Sequence, residues 1–379
     1  MKKVLFMLSS MNIGGVEKSF LSLLSKLSKD EYDITVLLLE KKGGFLEFVP
    51  DWVKIEEATW YKEVKPIIMQ APQQTVKDYL KQKKLHLVPS FVATYLISKY
   101  LDKRYLYYEN VMKSVPFYKH IFDIAIAYHG PTDIIDFFIA NKVNAKKKIS
   151  WVHFDVSKHQ INEKLYNKLY IKFDHLFIVS KEAKNKLVTK FPKISKKTLV
   201  IHNNVPKDVI MEMSKEKIEF DKGYEGYRIV TVGRLSVEKG QDLAVTVLSR
   251  LRKEGIEVRW YCIGEGKYRQ NLERMIKEQD LEQHFILLGS SANPYPYMAQ
   301  ADIYVQTSRH EGFCITLAEA ISLSKPIVST NFIGAHEQIE EGINGFIVNT
   351  NEEEIYRKVK YLIKNEAVRN KFKQSQKVN

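Results

Sequence analysis

With 379 residues and 45% apolar side chains, the chain can fill two cores of ordinary size, and a single domain would be unusual. Two cysteines, Cys262 and Cys314, exclude a disulfide scaffold and a cysteine-rich metal site, which fits a reducing compartment. The formal charge of +14 is uneven: residues 1–213 carry +13 and residues 214–379 carry +1. That asymmetry suits either an anionic partner, lipid headgroups or nucleic acid, or a solvated lysine-rich face.

The opening MKKVLFMLSS is broken by Ser9, Ser10 and Asn12, so it reads as a buried first strand, Val4 to Leu8, rather than a signal peptide. No run approaches the roughly 18 apolar residues of a membrane span. Gly14 and Gly15 close a loop, Phe20, Leu23, Leu24 and Leu27 recur at helical spacing, and Ile34 to Leu39 forms a second strand. This is a βαβ opening of the parallel, doubly wound kind. The paired glycines suit either an anion at the helix start or a tight turn. Without a full Gly-X-Gly-X-X-Gly or a following Gly-Lys-Ser/Thr, a dinucleotide or ATP site is disfavoured here.

Residues 75–120 mix lysine and arginine with many aromatic and aliphatic residues. Such a segment fits a membrane interface, and equally the core helices of an inserted subdomain. Strands resume at Ile121–Ala127, Lys148–His153, Leu176–Ser180 and Thr198–His202, and His153 stands just past a strand, where open α/β sheets bind ligands. The Lys/Glu-rich stretch to Tyr224 reads as a linker. The alternation then restarts, with strands at Arg228–Val232, Val258–Ile263, Phe285–Leu288, Ile303–Gln306, Lys325–Ser329 and Gly345–Val348. One long helix, Asn351 to about Lys373, closes the chain. Two Rossmann-like domains in tandem follow, with the cleft between them as the default site.

Gly233, Arg234, Lys239 and Gly240 share the loop after the first strand of the second half, where an arginine and a lysine beside glycines can converge on a diphosphate. Further on, TSRHEGFCITLAEAIS sets Glu311 and Glu319 eight positions apart as a helical pattern begins.

VGRLSVEKG, the GEG loop and HEGFCITLAEA occur in order, preceded by GGVEKSF, SWVHFD, VSKEAKNKL and VIHNNV. On these motifs the chain resembles the family 4 glycosyltransferases, retaining enzymes of the GT-B fold that transfer sugars from nucleotide donors. The resemblance runs over essentially the whole chain and is most specific in residues 229–348.

The resemblance implies an α/β GT-B architecture. Residues 1–205 would form an acceptor-binding Rossmann-like domain and residues 206–352 a donor domain. Residues 353–379 would form a C-terminal helix that is a candidate to pack back on the first domain. It implies that Glu319 accepts hydrogen bonds from the donor ribose, and that Glu311 lies near the transferred sugar as its anomeric carbon becomes oxocarbenium-like. The backbone N–H groups of Phe313, Cys314 and Ile315 would meet sugar and phosphate. Arg234 and Lys239, with Gly233 beside them, would neutralise the leaving diphosphate. His153 would contact the donor sugar from the first domain, and Gly14 and Gly15 would approach phosphate or acceptor. Ser180 and Asn204 also fall on family motifs, without an assigned role.

The family commonly has Gly and Pro where this chain has Cys314 and Thr316. No Asp-X-Asp triplet occurs, so no metal and no further cofactor are expected. The expected partners are a UDP-sugar and a glycan or lipid-linked glycan, with an anionic membrane surface as a candidate partner of the basic first domain and no nucleic acid. The expected place is the cytoplasm, peripheral at the inner face of the plasma membrane, in capsular or surface polysaccharide assembly. The alternatives are a UDP-sugar 2-epimerase of the same fold and a non-enzymatic protein that binds anionic lipid or nucleic acid.

Overall fold

The computed structural model describes residues 1–154, 156, 161–203 and 205–376. The chain forms two compact units, one of residues 1–12 and 23–201, the other of residues 13–22 and 202–379. Each is built on one parallel sheet.

The first sheet runs β1 (Lys2–Leu8), β2 (Tyr32–Leu38), β3 (Lys54–Glu57), β4 (Ile121–Gly130), β5 (Asn144–Val152), β6 (His175–Ile178) and β7 (Thr198–Val200) in chain order. In space the order is β3-β2-β1-β4-β5-β6-β7. The β1 run VLFML is buried on both faces, as a central strand covered by helices must be. Its neighbours β2 and β4 lie on opposite sides, so the crevice beyond its carboxyl end is the topological switch point.

Between β3 and β4 the chain inserts the helices Tyr61–Met69, Pro72–Lys81, Val88–Leu101 and Arg104–Val111. This segment divides its side chains. Phe91, Tyr108 and Val111 are buried, while Leu80, Leu85, Tyr100 and Leu101 are exposed among lysines. Among the described residues, no helix is long and apolar enough to cross a membrane.

One carboxylate sits wholly inside the first unit. Asp136 accepts hydrogen bonds from Ser150 Oγ (2.7 Å), the Thr132 N–H (2.9 Å) and Tyr166 OH (3.2 Å). Burial nevertheless pushes its carboxyl up to about 7, against the pull of those donors. The folded chain therefore keeps this proton while the unfolded chain has released it near the ordinary carboxylate value. Asp136 thus costs stability as pH rises from about 4 to about 7. In Asp136→Asn the stability lost between pH 5 and pH 8 should shrink by about 1 kcal/mol or more. Denaturant melts of both proteins at the two pH values check this, and an unchanged difference would count against a buried neutral acid.

The second sheet contains β8 (Tyr227–Val232), β9 (Val258–Ile263), β10 (Phe285–Gly289), β11 (Ile303–Gln306), β12 (Ile327–Thr330) and β13 (Gly345–Val348), in the order β10-β9-β8-β11-β12-β13. Its switch point lies between β8 and β11. Trp260 is fully buried, and its Nε1 donates to Thr231 Oγ1 (3.0 Å), which donates onward to the Val305 carbonyl (2.7 Å). The one polar side chain in this stretch of β8 is thereby satisfied without water.

Two expectations are corrected. The linker to Tyr224 contains the helix Lys207–Met213, and Ile210 and Phe220 enter the core of the second unit. Asp221 is anchored there by Arg259 and by the Tyr261 hydroxyl. The single closing helix is two helices, Glu352–Lys364 and Glu366–Ser375, parted at Asn365. Ile355, Tyr356, Val359, Leu362, Ile363 and Phe372 recur at helical spacing and pack into the core around Trp260. This apolar stripe packs within the second unit.

Candidate functional site

The loops after β8 and β11 leave the carboxyl ends of adjacent strands and are joined side by side. Thr307 Oγ1 donates to the Lys239 carbonyl (2.9 Å) and the Arg309 N–H to the Glu238 carbonyl (2.7 Å). Arg309 also forks onto both carboxylate oxygens of Asp242 (2.8 and 2.6 Å). Gly240 has φ +66, and a Cβ there would stand 2.2 Å from the Thr307 carbonyl oxygen, so the junction requires glycine.

Across this junction Lys239 Nζ donates to Glu311 Oε1, which also accepts from Ser308 Oγ (2.9 Å). Burial disfavours the Lys239 ammonium, but the Glu311 carboxylate outweighs it and holds the lysine above its ordinary range. Ser308 is held in turn by Gln306 Nε2 (2.7 Å), and Gln306 Oε1 accepts from Tyr304 OH (2.6 Å). A buried polar chain thus fixes the acid from below. The Lys239 stem passes over Gly233, where a Cβ would meet its Cδ at 3.5 Å. Arg234 is exposed, while its carbonyl is pinned by Nε2 of the fully buried Gln241 (2.9 Å).

The GEG loop supplies no ligand group that the structure distinguishes. Its glycines let backbones touch: a Cβ at Gly264 would lie 2.0 Å from the Gly233 oxygen, and one at Gly266 would lie 2.2 Å from the Leu235 oxygen.

Phe313, Cys314 and Ile315 are buried at the start of the helix Ile315–Ser322, whose first N–H groups have no partner within the helix. Cys314 has φ +63, the left-handed conformation that glycine adopts most easily, which explains the Gly of the resembling family. Burial pushes its thiol up to about 12, which keeps it protonated at neutral pH.

Glu319, one turn further on, is 1% exposed. Its Oε1 accepts from Lys18 Nζ (2.7 Å) and Tyr295 OH (3.0 Å), while its Oε2 is buried without a hydrogen-bond partner among the described residues.

Gly14 and Gly15 belong to the segment that groups with this unit, and Gly15 faces the Ile315 side chain. Glu17 folds back over Gly14, and its carboxyl is pushed up to about 7 by burial, against its own N–H and the charge of Arg234.

His153 belongs to the first unit, just past β5, its ring stacked on Trp151 (5.9 Å between centroids, 6° between planes) and tilted on Tyr128 (4.8 Å). Both ring nitrogens are buried without a hydrogen-bond partner among the described residues, and burial together with His129 pushes the imidazole down to about 3. The ring is therefore neutral, not a cation, at physiological pH. Ser180 is a helix cap, its Oγ accepting from the Ala183 N–H (3.2 Å). Asn204 and Asp155 lie outside the described residues.

Glu17, Lys18, Tyr295 and Ser308 were missed as functional candidates. The first two stand inside GGVEKSF, but a glycine motif does not announce the partners of the charges that follow it.

Residues 213–378 match the family model of glycosyl transferases group 1. Within that region fall β8 to β13 and every donor-site candidate except Gly14, Gly15 and His153. An uncharacterized glycosyltransferase of Methanocaldococcus jannaschii is 26% identical over 228 residues, 55% of each chain. The N-acetylgalactosamine-N,N'-diacetylbacillosaminyl-diphospho-undecaprenol 4-alpha-N-acetylgalactosaminyltransferase of Campylobacter jejuni is 29% identical over 219 residues, 57% of this chain and 58% of that one. The chain thus matches over little more than half the length of these curated relatives. Anabaena HepE, solved in complex with UDP and glucose, superposes with a TM-score of 0.72 at 18% identity, covering 100% of this chain and 94% of that one. The fold is therefore the pair of Rossmann-like domains of GT-B glycosyltransferases, and the group 1 match falls on its second unit.

Proposed function

We propose that the protein is a retaining glycosyltransferase that moves a hexose from a nucleotide sugar, best a UDP-sugar, to a hydroxyl of a glycan or lipid-linked glycan. The observation that carries this reading is the Lys239–Glu311 pair at the sheet's switch point, beside exposed Arg234 and one helix start away from buried Glu319. Arg234 and Lys239 take up the charge of the departing diphosphate, so no metal is called for. Glu311 stabilises the positive charge that grows on the anomeric carbon. The acceptor attacks from the face the phosphate leaves, its proton passing to a phosphate oxygen, so the configuration is retained. Neutral His153 contributes a hydrogen bond to the transferred sugar.

The acceptor is assigned to the first unit. A cavity of about 410 Å³ at its switch point is lined by Ser9, Asn12, Glu40, Tyr61, Thr132 and Asp133 among others, a mixture of hydroxyl partners and ring faces that suits a sugar. The exposed leucines and lysines of residues 75–120 suit an anionic membrane at the cytoplasmic face, where a lipid-linked acceptor for capsular or other surface polysaccharide would lie. The Campylobacter relative, whose name includes a diphospho-undecaprenol, supports that class of acceptor.

The test is incubation of the purified protein with labelled UDP-hexoses and lipid extracts, with and without a chelator. Transfer that is unaffected by the chelator and gives an α-glycoside is expected. Conversion of the sugar without any acceptor would instead identify an epimerase, and no turnover of any nucleotide sugar would overturn the reading.

A further inference from the structure

Glu319 is enclosed. Its Oε1 is taken by Lys18 Nζ (2.7 Å) and Tyr295 OH (3.0 Å), its Oε2 is buried without a hydrogen-bond partner among the described residues, and Lys18 Nζ lies 4.3 Å from the centre of the Tyr295 ring. A ribose hydroxyl can replace a donor on Oε1 only if Lys18 or Tyr295 yields. Tyr295 is 4% exposed and packed in the core of the second unit, so it is fixed. The Lys18 side chain is 22% exposed on a flexible four-carbon stem, so it is the donor that can leave.

An ammonium that leaves a buried carboxylate needs another anion. Gly15, in the same helical turn as Lys18, faces the Ile315 side chain, so this turn stands beside the helix start assigned to the phosphate. We propose that Lys18 is an exchange cation of the donor site: it pairs with Glu319 in the free protein, and a nucleoside diphosphate draws it from that carboxylate to its phosphates while the ribose hydroxyls take its place. This rests on the reading of Glu319 as the ribose acceptor. The exchange makes diphosphate and ribose interdependent. A nucleoside without phosphates must break the ion pair uncompensated, whereas the diphosphate replaces it.

Calorimetric titration of the full chain with uridine and with UDP tests this, using wild type, Lys18→Met and Glu319→Gln. Lys18→Met should bind uridine about tenfold more tightly than wild type. It should bind UDP no more tightly than wild type, so the ratio of UDP to uridine affinity falls. Lys18→Ala should reproduce this if the longer side chain of Lys18→Met perturbs folding. Glu319→Gln should weaken both ligands. If wild type binds UDP and neither lysine variant gains affinity for uridine, the exchange is wrong while the donor site stands. If wild type binds neither UDP nor GDP, the donor-site reading itself fails, and the exchange with it.

Discussion

Lys239→Ala should lower the turnover number for sugar transfer by about a hundredfold or more, the range seen when one preorganised group is removed from a developing negative charge. The fold should suffer far less. The lysine side chain is 25% exposed, and after its removal Glu311 still accepts from Ser308 Oγ, so the carboxylate is not orphaned. Loss of a partly buried, charge-assisted hydrogen bond costs on the order of 1–3 kcal/mol, a shift of a few degrees in a chain of this size. Lys239→Arg is the informative companion: it keeps the charge but changes its shape and reach, and it should recover only part of the rate. If Lys239→Ala transferred sugar within threefold of wild type, the cation at the leaving diphosphate would have to be sought elsewhere.

The second large effect is structural in origin and reaches the same chemistry. Gly264 has φ +151, and a Cβ there would fall 2.0 Å from the Gly233 carbonyl oxygen and 2.8 Å from its carbon. Neither atom can step aside, because the Gly233 N–H is bonded to the Ile263 carbonyl (3.0 Å) and the next link, from the Leu235 N–H to the Glu265 carbonyl, measures 3.1 Å. Gly264→Ala should therefore destabilise the second unit by about 3 kcal/mol or more, through backbone strain and steric overlap together. It should also displace Arg234 from wherever the diphosphate is held, so that nucleotide affinity falls in whatever fraction remains folded. Gly255→Ala is the control, with φ +77 but open space around it, and should cost only about 1 kcal/mol. Equal melting temperatures for the two variants would show that the contact at Gly264 relaxes freely.

Much of this architecture could be read directly, because buried parallel strands are apolar runs and each is followed by an amphipathic stretch. What escaped the reading did so for identifiable reasons. β3 is KIEE, an edge strand with one apolar residue among three charged ones, and it carries no apolar signature. Residues 207–224 look like a linker because the apolar residues that anchor them, Ile210, Met213, Ile218 and Phe220, are irregularly spaced among charges. The site was legible where chemistry follows from local spacing, as in the acid before the helix Ile315–Ser322 and the acid inside it. It was opaque where a charge finds its partner far along the chain. Nothing in HEGFCITLAEA points to Lys239 as the companion of Glu311, or to Lys18 as that of Glu319.

The grouping of residues 13–22 with the second unit has a practical meaning for anyone who would recombine such proteins. A graft made at Ile201–His202 would look clean on paper, yet it would import a second unit lacking the ten residues that bear the lysine on its buried acid. The host's own glycine loop would have to supply a substitute. Chimeras of this architecture should therefore inherit acceptor preference and nucleotide affinity together more often than a division into two modules suggests, since the first strand-to-helix connection serves one unit while it is threaded through the other.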